Sequence, residues 1–284
     1  NKLSFDEFWN KESKVELIHF IGKDILYFHA LFWPATLEYS NYRKPTKIYA
    51  HGFLTVNGEK MSKSRGTFIT ARSYLDNIDN PNFLRYYYAS KLNDTMEDID
   101  LNFDDFIAKV NSDLVGKFVN IPSRTSGFIL KYFENKLVPI SNINDRKAKE
   151  LVLLSIEIRS KVEEYYEARM YSKLVKLIMM QVEALNEFIS AKEPWVLAKN
   201  EKQHVVNSEL HQVCSNCLHI FRILSIYLTP IIPELSSRIA DFFKETPYES
   251  FSNIEKEVIE INKFKHLMQR LDSKSIEAMI DSNK

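Results

Sequence analysis

The chain of 284 residues is poor in glycine. It carries 6, where average usage of about 7% would supply roughly 20. They are Gly22, Gly52, Gly58, Gly66, Gly116 and Gly127, and none follows. Neither a G-x-G-x-x-G dinucleotide fingerprint nor a G-x-x-x-x-G-K-[ST] phosphate loop can be assembled from these positions. A glycine-free second half also argues against an all-β domain there, because tight hairpin turns call for residues with positive φ.

Other things are scarce too. Cys214 and Cys217 are the two cysteines, which excludes a disulfide framework and points to a reducing, intracellular setting. Neither sign of charge is in excess: 38 Lys and Arg balance 38 Asp and Glu. No global field therefore draws nucleic acid, although local basic faces remain open. No apolar run approaches the ~18 residues of a membrane-spanning helix; the best, Ile223 to Leu235, is broken by Pro230 and Pro233. No signal-peptide pattern stands at the start, and Asn1 in place of Met implies a piece cut from a longer chain. The length suffices for one large domain or two ordinary ones.

What is present begins with a mostly apolar strand over 15–21 that stops at Gly22. A helix is predicted from Asp24, with Ile25, Phe28, Leu31, Phe32 and Ala35 recurring on one face. After Pro45 a second β-rich run, 47–56, ends at the turn signal Asn57-Gly58. Strand, helix and strand at this spacing form a βαβ unit and hence a parallel sheet. Ligands gather at the carboxyl ends of such strands, here Gly22-Lys23-Asp24 and the segment after His51. From about Asp105 the periodicity is helical, over about 105–133, 146–170, 171–191 and 264–280. The clearest stripe is Leu210, Val213, Cys214, Cys217, Leu218, Phe221, Leu224, Ser225 and Leu228. The expected organisation is an α/β portion over 1–105, an all-α bundle over 106–245, and a polar linker with a last helix over 246–284.

Between the second strand and the next helix lies Asn57-Gly-Glu-Lys-Met-Ser-Lys-Ser-Arg-Gly-Thr67. Lys60, Lys63 and Arg65 fall within six residues, with hydroxyls at Ser62 and Ser64 and glycines at 58 and 66. Cationic donors on a short glycine-hinged loop suit a clamp over polyphosphate that stabilises developing charge. A solvated basic loop has the same composition.

Lys60-Met-Ser-Lys-Ser64 resembles the KMSKS signature of class I aminoacyl-tRNA synthetases. The wider run from His51 to Thr67, with His19-Phe-Ile-Gly-Lys-Asp-Ile-Leu-Tyr-Phe-His-Ala-Leu-Phe-Trp-Pro34, resembles the methionyl-tRNA synthetase family within that class. The likeness continues through Leu84-Arg-Tyr-Tyr-Tyr88, Asp98-Ile-Asp-Leu-Asn102 and Glu193-Pro-Trp195, and so covers nearly the whole chain.

The resemblance implies the second half of a Rossmann-type catalytic domain followed by a helical anticodon-binding domain. It implies ATP, with Mg2+, as a substrate, and charging of the methionine tRNA through methionyl-adenylate in the cytoplasm. Lys60 and above all Lys63 would hold the phosphates. Gly22, Asp24, His51, Gly52, Leu54 and Met61 would line the nucleotide, with Asp24 accepting from ribose hydroxyls. Ile25, Phe28, His29 and Trp33 match positions lining the methionine pocket, where aromatic edges suit a thioether. Without the resemblance, Asp24 reads as a helix N-cap, Ile25, Phe28 and Trp33 read as core, and His29 reads as a core histidine with a partner. The family's HIGH-type motif and its zinc knuckle would precede the start of this chain. The chain alone is therefore expected not to activate methionine. A non-catalytic tRNA-binding module, or another class I synthetase for an apolar amino acid, stands as the alternative.

In the family, positions matching Asn120, Arg124, Pro194 and Trp195 contact the CAU anticodon, with Trp195 as the stacking platform. Such readers stack unpaired bases on aromatics and read their edges with amide or guanidinium donors. A buried interhelical plug at Trp195 and a surface amide at Asn120 are the plainer readings. Pro122 is expected to bend the segment between Asn120 and Arg124, and Ser190 replaces an acidic residue of some relatives. Over 106–139, Lys109, Lys117, Arg124, Lys131 and Lys136 outnumber Asp113 and Glu134, a modest phosphate-attracting face.

Two motifs read as structural. Cys214-Ser-Asn-Cys217, with His211 nearby, lies on an apolar helix stripe and lacks a second ligand pair. The acidic residues Asp94, Glu97, Asp98, Asp100, Asp104 and Asp105 do not match an EF-hand and read as capping and solvation before a helix. No metal site is expected in this chain.

Overall fold

The computed structural model describes residues 4–61, 68–200 and 204–283. They fall into two compact units: Asn1–Phe68 with Asp94–Asn102, and Ile69–Asn93 with Phe103–Lys284.

In the first unit, α1 (Phe5–Trp9) precedes β1 (Ile18–Gly22), which pairs in parallel with β2 (Lys47–His51). The crossover expected as one helix is three pieces: a 3-10 turn at Lys23–Ile25, a π-helical turn at Phe28–Phe32, and α2 (Trp33–Tyr39). The second β-rich run is also divided. After β2 the chain turns at Gly52 into β3 (Leu54–Val56), which joins a separate sheet of order β4-β3-β5, where β4 is Glu59–Lys60 and β5 is Ile99–Leu101. A Cβ on Gly52 would stand 2.1 Å from the Glu97 carbonyl oxygen and 2.7 Å from the Asp98 nitrogen. That backbone crossing is what parts the two sheets.

Asn57 and Gly58, with φ of 49° and 78°, form the two-residue turn between the antiparallel strands β3 and β4, the geometry that an Asn-Gly pair favours. Two members of the acidic run secure it. Asp100 Oδ1 accepts from Thr55 Oγ1 and from the Gly58 N–H, both at 2.7 Å, and Asp98 Oδ1 accepts from the Phe53 N–H at 2.7 Å. These carboxylates tie β5 to β3, so the capping and solvation reading fails for them. Asp104 and Asp105 do stand in the first turn of the following helix, but Asp105 also pairs with Lys91 at 2.7 Å and accepts from the Tyr87 hydroxyl at 2.9 Å.

The second unit is helical: α3 (Ala71–Ile78), α4 (Pro81–Lys91), α5 (Phe103–Val110), a second π-helical segment (Asn111–Phe118), α6 (Asn120–Tyr132), α7 (Arg146–Glu157), α8 (Arg159–Glu167), α9 (Tyr171–Lys192), α10 (Pro194–Asn200), α11 (Glu209–Leu228), α12 (Pro233–Phe242) and α13 (Ser273–Asp281). Of the stretch 264–280 expected to be helical, only the part from Ser273 is. Its approach is fixed by Asn111, whose side chain donates to the Leu271 carbonyl at 2.9 Å and accepts from the Leu271 N–H at 2.8 Å.

The core centres on α11, buried from Leu210 to Leu228 except at Gln212 and packed on α6, α7 and α9. Cys214 and Cys217 are buried inside it, and burial pushes the Cys217 thiol up. His211 Nε2 donates to the Lys136 carbonyl at 2.8 Å while its Nδ1 accepts from the Asn207 N–H at 3.1 Å, which holds the ring neutral. His219 Nε2 donates to the Val138 carbonyl at 2.8 Å. Arg222 makes a bidentate pair with Glu245, 2.6 and 2.8 Å, and donates to the Asn253 carbonyl at 2.7 Å. The polar groups of one buried helix thus tie down both 136–138 and 245–253.

Several corners of this unit turn through left-handed backbone without glycine. Glu134, Asn135, Arg169, Glu193, Asn207 and Lys244 all have φ between 43° and 68°. No helix of the described residues is long and apolar enough to cross a membrane.

Candidate active site and nucleic-acid interface

Parallel pairing sets Gly22 opposite His51, so the carboxyl ends of β1 and β2 open on one edge. Asp24 follows Gly22 in the 3-10 turn and does not cap it; Gly22 holds the N-cap position. The Asp24 carboxylate instead folds back over that strand end, where a Cβ on residue 22 would be 2.5 Å from its Oδ1. A carbonyl only accepts, so His51 Nδ1 donates to the Gly52 oxygen at 2.9 Å.

The expectation of a buried stripe at Ile25, Phe28 and Trp33 is overturned: their relative exposures are 38%, 58% and 40%. His29 is half-buried and donates from Nδ1 to the Ile25 carbonyl at 3.0 Å. Its ring meets the His19 ring edge-on, centroids 5.9 Å apart, and Trp9 lies 6.3 Å from both His19 and Trp33. Partial burial, with His29 nearby, lowers the His19 pKa. The π-helical turn at Phe28–Phe32 carries His29 of this group, and such turns recur at functional sites. Trp9 and His19 were missed from sequence because they lie on α1 and β1, outside the helix stripe.

Leu54 opens β3, Lys60 pairs across from Thr55 in β4, and Met61 follows, half-buried. Lys63, with Ser62, Ser64, Arg65 and Gly66, lies outside the described residues. Among those described, Lys60 Nζ stands 5.9 Å and Lys23 Nζ 4.9 Å from the centroid of the Phe53 ring.

In the helical unit, Pro122 sits in the first turn of α6, where its missing N–H costs no helical bond. Asn120 and Arg124 share a face of α6. The Arg124 guanidinium lies over the Trp195 ring, 5.0 Å from its centroid, and donates to Ser190 Oγ at 3.2 Å. Trp195 is 36% exposed, so it is not an interhelical plug; the neighbouring Pro194 is buried. Ser190, set aside on sequence, is the residue that holds Arg124. Part of the basic face is neutralised: Lys109 pairs with Asp113 at 2.8 Å, Lys117 with Glu183 at 2.5 Å, and Lys136 with Glu134 at 3.4 Å.

The family model described as tRNA synthetases class I (M) matches residues 1–126. A methionine–tRNA ligase of Thiobacillus denitrificans is 53% identical over 285 residues, covering 99% of this chain and 40% of the relative. One of Nitrosospira multiformis is 49% identical over 294 residues, covering 98% and 40%. The chain belongs to the methionyl-tRNA synthetase family.

Solved members of that family share the fold. Mycobacterium tuberculosis methionyl-tRNA synthetase in complex with methionyl-adenylate aligns with a TM-score of 0.76 at 24% identity, over 88% of this chain and 49% of that one. Its apo form aligns at 0.74 and 20%, over 90% and 50%. The chain spans 40% of the length of these curated methionyl-tRNA synthetase relatives. No group of three or more His, Cys, Asp or Glu among the described residues is arranged to hold a metal ion, and the buried Cys214 and Cys217 do not fit a zinc site.

Proposed function

We propose that this chain supplies the strand edge, the lysine loop and the anticodon reader of an enzyme that charges the methionine tRNA. Functionally, residues 1–105 serve catalysis as the second half of a Rossmann-type domain, 106–245 read the anticodon, and 246–284 brace the bundle. The observation that carries this is the 53% identity to a methionine–tRNA ligase across 99% of the chain. The site geometry is consistent with it: Gly22, Asp24 and His51 share the edge where α/β sheets bind nucleotides.

In the proposed reaction a methionine carboxylate oxygen attacks the α-phosphorus of ATP and pyrophosphate departs. Lys60 and Lys63 place positive charge where the leaving group gains negative charge. Asp24 receives ribose hydroxyls, with Gly52, Leu54 and Met61 beside the nucleoside. Ile25, Phe28, His29 and Trp33 form one wall for the thioether side chain. The methionyl group then passes to the tRNA 3′ end, while Arg124 and Trp195, with Asn120 and Pro194, engage the CAU anticodon. Mg2+ arrives with ATP, zinc belongs to sequence outside this chain, and the cytoplasm is the setting.

Pyrophosphate exchange by the full-length enzyme tests this, with methionine as the amino acid that drives it. Exchange driven instead by leucine, isoleucine or valine would make it a different class I synthetase. The 284 residues alone lack an HIGH-type motif and are expected to give no exchange, yet to bind a CAU anticodon stem-loop. Trp195→Ala should weaken that binding by about 2 kcal/mol, the loss of one base–aromatic stack. Unchanged affinity in a titration of labelled RNA would remove the anticodon assignment.

A further inference from the structure

Lys23 stands beside the strand edge assigned to the nucleotide. It directly follows Gly22 at the carboxyl end of β1. Its Nζ makes a 2.6 Å ion pair with Asp98 Oδ1 and lies 4.9 Å from the centroid of the Phe53 ring. Lys60 Nζ lies 5.9 Å from that same centroid, so the two distances bound the separation of the ammonium groups at their sum. The Phe53 ring is part of what faces both cations, and the backbone N–H of Phe53 fixes the carboxylate that holds the first of them.

We propose that Lys23 is a further phosphate-binding residue of the ATP site, parked on Asp98 until polyphosphate displaces that carboxylate. This assignment rests on the ATP role proposed for the strand edge.

Three features support it. The pair is open to water, with side-chain exposures of 32% and 46%, and exposed pairs contribute little. A polyphosphate bearing several charges and many acceptor oxygens outcompetes one carboxylate for the same ammonium. Asp98 also keeps a second bond, from the Phe53 N–H at 2.7 Å, so it retains its place when Lys23 leaves. The ring contact serves the same exchange, since an aromatic face attracts a cation without neutralising it.

The exchange is testable because the two partners should give opposite results. In the full-length enzyme, Lys23→Met should lower kcat/KM for ATP at least about tenfold in pyrophosphate exchange, with KM for methionine unchanged, because one cation is lost from the developing charge. Lys23→Arg should recover most of it. Asp98→Asn keeps an acceptor for the Phe53 N–H while releasing Lys23, and should lower KM for ATP by about two- to fivefold. If the pair were only a structural tie, Lys23→Met and Asp98→Asn would lose activity together, with a shared drop in melting temperature. That result, or Lys23→Met within twofold of wild type, would overturn the proposal. A wild-type enzyme without methionine-dependent exchange would instead sink the functional reading on which it rests.

Discussion

Glu245→Ala is expected to destabilise the helical unit by about 3–5 kcal/mol, the cost of leaving a buried guanidinium without its carboxylate. Both side chains of the pair are nearly sealed, at 3% and 4% exposure. Once the carboxylate is gone, Arg222 is left with the Asn253 carbonyl at 2.7 Å as partner for a guanidinium that needs far more. The measurement is the urea midpoint, with the slope unchanged between variants. A double variant, Arg222→Leu with Glu245→Leu, should recover most of the loss, since hydrophobic replacements of buried pairs are often neutral or stabilising. A loss below about 1 kcal/mol for the single variant would show that water reaches the site.

Lowering the pH from 7 to about 4.5 is expected to cost the same unit up to roughly 3 kcal/mol through His219 alone. Burial, against the donated bond to Val138 and with Arg222 adding repulsion, pushes this imidazole down to about 4 from 6.5. The unfolded chain therefore takes up a proton near 6.5 and the folded chain only near 4. Between those values the unfolded state binds more protons, so stability falls as the pH falls. His211, also lowered by burial, acts in the same direction. Urea midpoints at pH 7 and 4.5 check this in wild type and in His219→Gln, which cannot titrate. An equal drop in both would mean that His219 is not the group responsible.

The βαβ start was legible because Gly22 and Pro45 punctuate two apolar runs, and β1 and β2 stand there in parallel. The helix from Asp24 was read as amphipathic, but its apolar face is exposed and its backbone passes through 3-10 and π turns. Periodicity reports which residues share a face; it does not report what covers that face. Strands β4 and β5 escaped notice because they are two and three residues long and lie in polar sequence. What makes β5 a strand is bonding over more than forty residues, from Thr55 and Gly58 to Asp100, and β4 exists only as the short return arm of a hairpin with β3. Arg124 and Trp195 were named separately by resemblance. Their 5.0 Å contact, and the part Ser190 plays in it, are properties of the packing of α6 against the end of α9, which no local pattern encodes.

The glycine-free corners have a thermodynamic consequence. A residue with a Cβ held in the left-handed region has few other conformations open to it, whereas glycine has many. At the end of α9, Glu193 turns with φ of 43°, and Pro194 then fixes φ by its ring. Two stiff residues in succession set the direction of Trp195, and Arg124 holds the indole from one side. On the proposed anticodon role, a base arriving there would meet a platform already built, and little ordering entropy would have to be surrendered at the moment of contact.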